Sequence, residues 1–449
     1  MARSSAARAG PGSPRAKPGQ APTGLPKRAF AIIFAVSAAT ALGNTGLISV
    51  LPLIGRSIGI PDEMVVAIFS LSAVLWALAS PYWARASDHF GRKPLMMMGL
   101  AGFMVSMSLC GLVVSAGLRH MAAPLTIFVL FLCARALFGF FGSASNPATQ
   151  AYVADHTAPE DRTQSMASLA GAFGLGTVIG PWVAPYFILP VLGLAGPLIA
   201  FSLIAAAMLL VVWRYLPESP RVAAMKGEDR RRRDPDALPM WRDERVIPYL
   251  VYGFVVATAQ TGQQQTLGFL IIDTPPGNGF SVQYAIAMAM AFGAISGMLA
   301  QWGIIPMFGM TPRQLLRWGV GVSAFGNLLV ALAPDYWMVV AGYAFASLGF
   351  GLARPGFTAG SSLAVEAKDQ ARVAGAIAAV NGINAVLAPA FMRLYHLSHA
   401  GPFLLNMALM LGLLVYALRN RELRKAAPEA VGAEASTMAA LERSDESAA

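Results

Sequence analysis

Residues Pro81 to Pro94 read PYWARASDHFGRKP, a short charged stretch caught between two long apolar runs. Upstream, residues 64–84 hold no charged side chain, and downstream, residues 94–116 hold none. Each run matches the roughly 20 apolar residues that an α-helix needs to cross a hydrocarbon layer about 30 Å thick. Between them Arg85, Asp88, Arg92 and Lys93 cannot enter lipid unpaired without a large penalty. Gly91 supplies the backbone freedom for a tight turn. The stretch therefore reads as the polar end of a hairpin of two spanning helices.

The same window applied outward gives spans near 30–54, 64–84, 94–116, 124–150, 164–188 and 191–213, then six more near 246–272, 282–308, 314–333, 336–360, 371–395 and 401–419. Of the 449 residues, 56% are hydrophobic and 12% charged, against about 25% charged in an ordinary soluble domain. That excludes a water-soluble fold and implies an all-α polytopic membrane protein of twelve transmembrane helices. Residues 1–28 form a basic leader rich in Pro, Gly and Ala, read as a disordered tail. The run behind it is too long for the h-region of a cleaved signal, roughly 7–15 residues. Cys110 and Cys133 both lie in apolar runs, so neither a disulfide framework nor a metal-type Cys/His spacing is present.

The net charge of +10 is concentrated on one side of this pattern. The leader, Arg85/Arg92/Lys93, Arg230 to Arg233, Arg313/Arg317 and Arg419 to Lys425 share that side, while the other carries little beyond Arg56, Asp62, Glu63, Arg119, Asp273, Asp335 and Arg393. By the positive-inside rule both termini face the cytoplasm of a cell membrane, and the basic charge reports topology, not nucleic-acid binding. The mixed-charge segment 214–245 reads as a cytoplasmic linker dividing a six-helix bundle over 29–213 from a second over 246–420, with a disordered tail over 421–449. A shift of 208 positions superposes Pro147 on Pro355, Asp161 on Asp369, Gly174 on Gly382 and Pro181 on Pro389, one ungapped register consistent with two six-helix pseudo-repeats.

The opening stretch resembles the signature G-x-x-x-D-x-x-G-R-[KR] of the major facilitator superfamily. Asp88, Gly91, Arg92 and Lys93 match it, with Ala84 in place of the first Gly. The resemblance implies a cytoplasmic gating latch. CARALFGFFGS, with Arg135 in mid-span, is similar to the family's R-x-x-x-G motif, with Gly139 and Gly142 following. AYVADHTAPEDRTQSMA resembles the next loop of tetracycline-type exporters, with Asp155 and Arg162 at its charged positions; Asp155 is within topological reach of Arg92. GAFGLGTVIGPWVAP is similar to the antiporter motif G-x-x-x-G-P-x-x-G. Gly176, Gly180 and Pro181 match it, with Ala184 for the last Gly. That motif implies drug:proton antiport and weighs toward export. LPESP at Leu216 resembles the ending of helix 6 in the same group.

In this fold helices 1, 4, 7 and 10 line the cavity, which nominates Asn44, Arg135 and the amides Gln260, Gln263 and Gln264, joined by Asn381 and Asn384 from helix 11. Amides in lipid would go unsatisfied, so such faces meet water, another helix or a ligand. Arg135 reads as a single midplane cation without a midplane anion, which suggests an anionic or zwitterionic substrate. None of the 23 Asp and Glu residues lies at the centre of a span. Relatives often carry an acid on helix 1, where Asn44 stands, so either Asp273 at the outer end of helix 7 or a cytoplasmic carboxylate carries the proton, or the coupling differs from the family norm. The leading expectation is a secondary transporter exporting a drug or metabolite by alternating access in exchange for protons, acting as a monomer in the lipid bilayer. No cofactor, metal or nucleic acid is expected. An importer or facilitator on the same fold, or a non-transporting sensor or scaffold, are the alternatives. Enzymatic and nucleotide-driven roles lack a catalytic constellation and a phosphate-cradling loop.

Overall fold

The structure, a computed structural model, describes residues 26–157, 159–218, 242–274, 281–365 and 369–425, with backbone alone for residues 88, 89, 159–164, 167, 370, 371 and 425. The expectations for most of both tails, for the linker over 219–241 and for the Asp88 and Arg162 side chains lie outside the described residues.

Twelve long helices follow one another. The first three are α1 (Lys27–Ile58), α2 (Asp62–Phe90) and α3 (Arg92–Leu118). α4 runs Pro124–Phe141 and passes through a 3-10 turn, Gly142–Ala144, into Ser145–His156; α5 (Pro159–Val183) closes in a 3-10 turn, Ala184–Phe187, and α6 is Gly196–Tyr215. α7 (Ile247–Asp273) opens the second half, and α8 runs Val282–Met298 through a π-helical turn, Leu299–Ile304, to Ile305–Phe308. α9 (Pro312–Ala331) and α10 (Tyr336–Leu363) follow. α11 joins Gln370–Ile383 to Ala388–Leu397 through Asn384–Leu387; α12 is Gly401–Arg419 and the short α13 Arg421–Lys425. Among the described residues, nine helices are long and apolar enough to cross a membrane by length and composition alone. α7, with its three glutamines, is not among them.

The ends follow local rules. Pro occupies the first turn of α4, α6, α7, α9 and α12, where its missing N–H would have had no intrahelical partner. Thr311 and Gln314 form a reciprocal capping box at α9, and Asp335 caps α10 by accepting from the Met338 amide at 2.9 Å. Gly91, at φ +98°, ends α2 in a conformation few other residues adopt.

Two sequence expectations need correction here. Asp88 and Asp155 lie on helices and not in loops, because α2 and α4 run on past their apolar stretches. A helix satisfies its own backbone in water as well as in lipid, so loss of hydropathy does not end it.

The faces of the molecule differ in how the halves meet. We call the side bearing the helix ends near Lys27, Phe90, Arg92 and Arg419 the tail face, and the opposite side the far face. Toward the far face one apolar cluster crosses both halves, with Leu51, Ile54 and Val65 packed among Leu267, Ile271, Met290 and Met392. Toward the tail face there are two separate clusters. One holds Ile33, Trp83, Leu95, Tyr152 and Leu216 of the first half, the other Tyr249, Tyr252, Leu316, Phe357 and Leu423 of the second. The halves are thus welded at the far face and packed independently at the tail face.

A candidate central pathway and its gates

Close helix contact sets the frame of the first half. α5 lies on α1 at its two motif glycines. A Cβ on Gly176 would stand 2.1 Å from the Ala38 carbonyl oxygen, and one on Gly180 2.2 Å from that of Leu42. Without a hydrophobic drive between helices in lipid, such backbone approach is a main source of association. Pro181 follows within the same helix, which tightens into its 3-10 end three residues later.

Arg135, from the middle of α4, enters this frame and is only 1% exposed. Its Nη2 donates to the Asn44 amide oxygen at 2.9 Å. Its guanidinium carbon stands 4.6 Å from the Phe138 ring centroid and 5.4 Å from that of Phe69, a geometry in which the ring quadrupoles attract the cation. Nε and Nη1 have no hydrogen-bond partner. The structure therefore brings Asn44 and Arg135 together but closes the pair into the first half.

The helix-7 amides belong to a different centre, built around a residue that sequence reasoning passed over. Arg354 of α10 donates from Nη1 to the Gln260 side-chain oxygen at 3.4 Å and from Nη2 to that of Asn381 at 3.2 Å. Next to it, Asn384 accepts from the Thr261 hydroxyl at 2.9 Å. Arg354 is exposed although Gly351, Leu352 and Ala353 before it are buried, so it opens onto the space among α7, α10 and α11. The expectation of a single mid-span cation is thereby corrected: there are two, one closed in and one open. The signal is present in the sequence, since Arg354 is the one charged residue inside the apolar run 336–360. Gln264 is half-buried on the same helix. Gln263 is 1% exposed, and neither polar atom of its side chain has a partner.

At the tail face the signature stretch grips its own half. Arg92 Nε donates to Asp155 at 3.0 Å, the pair the sequence suggested, and Nη1 to the Ser87 hydroxyl at 2.8 Å. Lys93 caps the end of α6 through the Trp213 carbonyl at 2.9 Å, and a Cβ on Gly91 would meet the Glu218 carboxylate at 2.7 Å. These contacts join α2, α3, α4 and the end of α6, which makes the stretch a brace within the first half.

The ties between halves lie at the far face. Arg56 of α1 donates to both oxygens of Asp273 of α7, from Nη2 at 3.0 Å. The Tyr395 hydroxyl of α11 donates to the same carboxylate at 2.6 Å, and Arg56 also reaches Asp62 at 3.0 Å. His396 of α11 stands with Nδ1 2.9 Å from Glu63 and Nε2 3.2 Å from Asp62, both at the start of α2. Only a doubly protonated imidazole can donate from both nitrogens at once. Asp273, one of the candidate proton carriers, sits in an ion-paired network across the halves. Among the described residues no cluster of His, Cys, Asp and Glu could hold a metal ion.

Comparison with known proteins agrees with this architecture. The tetracycline resistance protein, class C, of Escherichia coli is 24% identical over 410 residues, spanning 89% of this chain and 97% of its own. Multidrug resistance protein 1 of Bacillus subtilis is 25% identical over 327 residues, 71% of this chain and 77% of its own. Two solved structures share the fold. The human organic anion transporter MFSD10 has a TM-score of 0.61 at 20% identity, covering 87% of this chain and 100% of its own. A bacterial homologue of the human lysosomal transporter Spinster, inward-facing and occupied, has a TM-score of 0.66 at 14% identity, covering 87% and 94%. A family model described as Major Facilitator Superfamily matches residues 33–311. Matched over more than half its length and folded as two sets of six helices, the chain is a multi-pass membrane transporter, not an enzyme, and belongs to the major facilitator superfamily.

Proposed function

We propose that this transporter exports a small molecule, a drug or metabolite, from the cytoplasm by alternating access in exchange for protons. The observation that carries the reading is the contrast between faces: an apolar weld and an ionic tie at the far face, separate cores at the tail face. That is one end state of a rocking cycle, with the central polar groups open toward the termini. With the termini cytoplasmic, as the basic charges indicate, the resting carrier waits open to the cell interior. The glycine helix α5 and the relatives named for tetracycline and multidrug resistance support export.

Proton linkage follows from His396. Closing the far face gathers the imidazole between Asp62 and Glu63, which its doubly protonated form satisfies best. An acidic exterior therefore favours the tail-open state, in which cargo loads from inside. Asp273 does the opposite, since a protonated carboxyl would surrender Arg56. We place it in the latch and not on the proton path.

The test is accumulation of a drug panel spanning anionic, neutral and cationic compounds in cells deleted for their own exporters, with and without this protein. Accumulation should fall when the protein is present and recover with an uncoupler. Unchanged accumulation of a broad drug panel would refute export of drugs, and accumulation that rises would reverse the direction.

A further inference from the structure

The geometry points to a second assignment: Arg354, flanked by Gln260 and Asn381, is the contact for an anionic head group, and organic carboxylates are the substrate class of the central pathway. This rests on the transport reading only for the word substrate; the binding site stands on its own.

Three observations carry it. Arg354 has no carboxylate partner among the described residues, only two amide oxygens at 3.2 and 3.4 Å. Five N–H donors in a planar fork are left with two modest contacts, and such a fork matches a carboxylate in bidentate fashion. Both amides turn their oxygens to the cation, which leaves their NH2 groups free to donate outward. The cluster thus offers donors to an incoming ligand and no negative charge. Its depth is right as well. Arg354 lies nine residues before Leu363, Gln260 thirteen after Ile247 and Asn381 eleven after Gln370, which at about 1.5 Å per residue is roughly 14–20 Å from the tail-face ends. A cation kept that deep in a membrane protein faces a cavity or a partner, and Arg354 is solvent-exposed. Arg135 cannot serve in this state, being sealed behind Asn44 and two phenyl rings.

Purified protein in detergent is titrated with three fluorescent probes of one aromatic body and different charge: dansylglycine, dansylamide and dansylcadaverine. We expect dansylglycine to bind at least tenfold more tightly than dansylamide, and dansylcadaverine weakest. Arg354→Gln should erase the preference for dansylglycine, and Arg354→Lys should keep part of it. Asn381→Asp, nearly isosteric, places a carboxylate beside Arg354. It should cost dansylglycine at least tenfold and improve dansylcadaverine, and because it moves two probes in opposite directions it separates a lost charge from a misfolded chain. A wild type that prefers the amide or the cation, that binds none of the probes, or whose selectivity survives Arg354→Gln, overturns the assignment. Dansylglycine that binds but is not carried into or out of vesicles would leave the site standing and remove the transport reading. Drug export with no anion selectivity would do the reverse.

Discussion

The far-face tie makes a quantitative prediction about pH. His396 faces Asp62 and Glu63 directly, with Arg56, Asp273, Tyr395 and a second histidine, His399, around it. Its side chain is 41% exposed, so solvent screens the contacts. Exposed ion pairs contribute about 0.2–1 kcal/mol each, and unit charges about 4 Å apart in water give roughly 1 kcal/mol. Two contacts together bias the closed far face by about 0.4–2 kcal/mol, a factor of roughly 2–30 in population. The sign is fixed by the charge. The contribution is complete in acid, where the ring is an imidazolium, and fades as pH rises and the ring loses its proton. The Arg56–Asp273 contact persists, so closure weakens without vanishing.

The assay is a distance measurement between spin labels at Met121 and Leu332, both exposed at far-face ends of the two halves. The background replaces the exposed Cys133 by Ser and leaves the buried Cys110. From pH 5.5 to pH 8 the short-distance population should fall by roughly 2–30-fold relative to the long. His396→Ala should show the alkaline distribution at every pH. A variant that responds to pH as strongly as the wild type would refute the reasoning, because the response would then belong to another group.

Other outcomes follow from particular contacts. Gly176→Ala forces a Cβ to within 2.1 Å of a backbone oxygen on α1; overpacking costs about 1–3 kcal/mol, so melting in detergent should drop by several degrees and transport should fall. Asp155→Asn should loosen the α3–α4 end, and the swap Arg92→Asp with Asp155→Arg should recover part of the lost expression and activity, because the pair spans only 3.0 Å. Asn44→Asp offers Arg135 the carboxylate it lacks. We expect it to raise the melting temperature, and an unchanged or lower value would show that the vacant Nε and Nη1 sites are already served by water.

The helices and their order were legible because a bilayer demands about 20 apolar residues per crossing, and little else in a sequence produces that signal. Single motifs were legible for a similar reason: Arg92 and Asp155 are close in topology, and Gly176 and Gly180 share a helix face. What escaped was relational. Arg56, Asp62, Glu63 and Asp273 were visible as isolated charges on a charge-poor side, yet their meaning comes from Tyr395 and His396, more than a hundred positions away. The turns at Gly142–Ala144, Ala184–Phe187 and Leu299–Ile304 escaped as well, since a 3-10 or π turn leaves hydropathy unchanged. Arg354 was missed because one charge in 25 apolar residues barely lowers the average.

The internal duplication gives this asymmetry a physical reading. The 208-residue register that pairs Pro147 with Pro355 also sets Asn146 opposite Arg354, and both are exposed residues immediately before a helix proline. The same shift sets Tyr343 opposite Arg135 and Tyr252 opposite Asn44; both tyrosines are buried, and Tyr252 is tied off on the Leu316 carbonyl at 2.6 Å. The register thus pairs a sealed cation and its amide in the first half with packed phenols in the second, and an exposed amide in the first half with an open cation in the second. A rocking carrier needs the two halves to repack against each other while one of them keeps hold of the cargo. Placing the open charge on the second half, where the ties to α7 and α11 hold it in position, leaves the first half free to move across it.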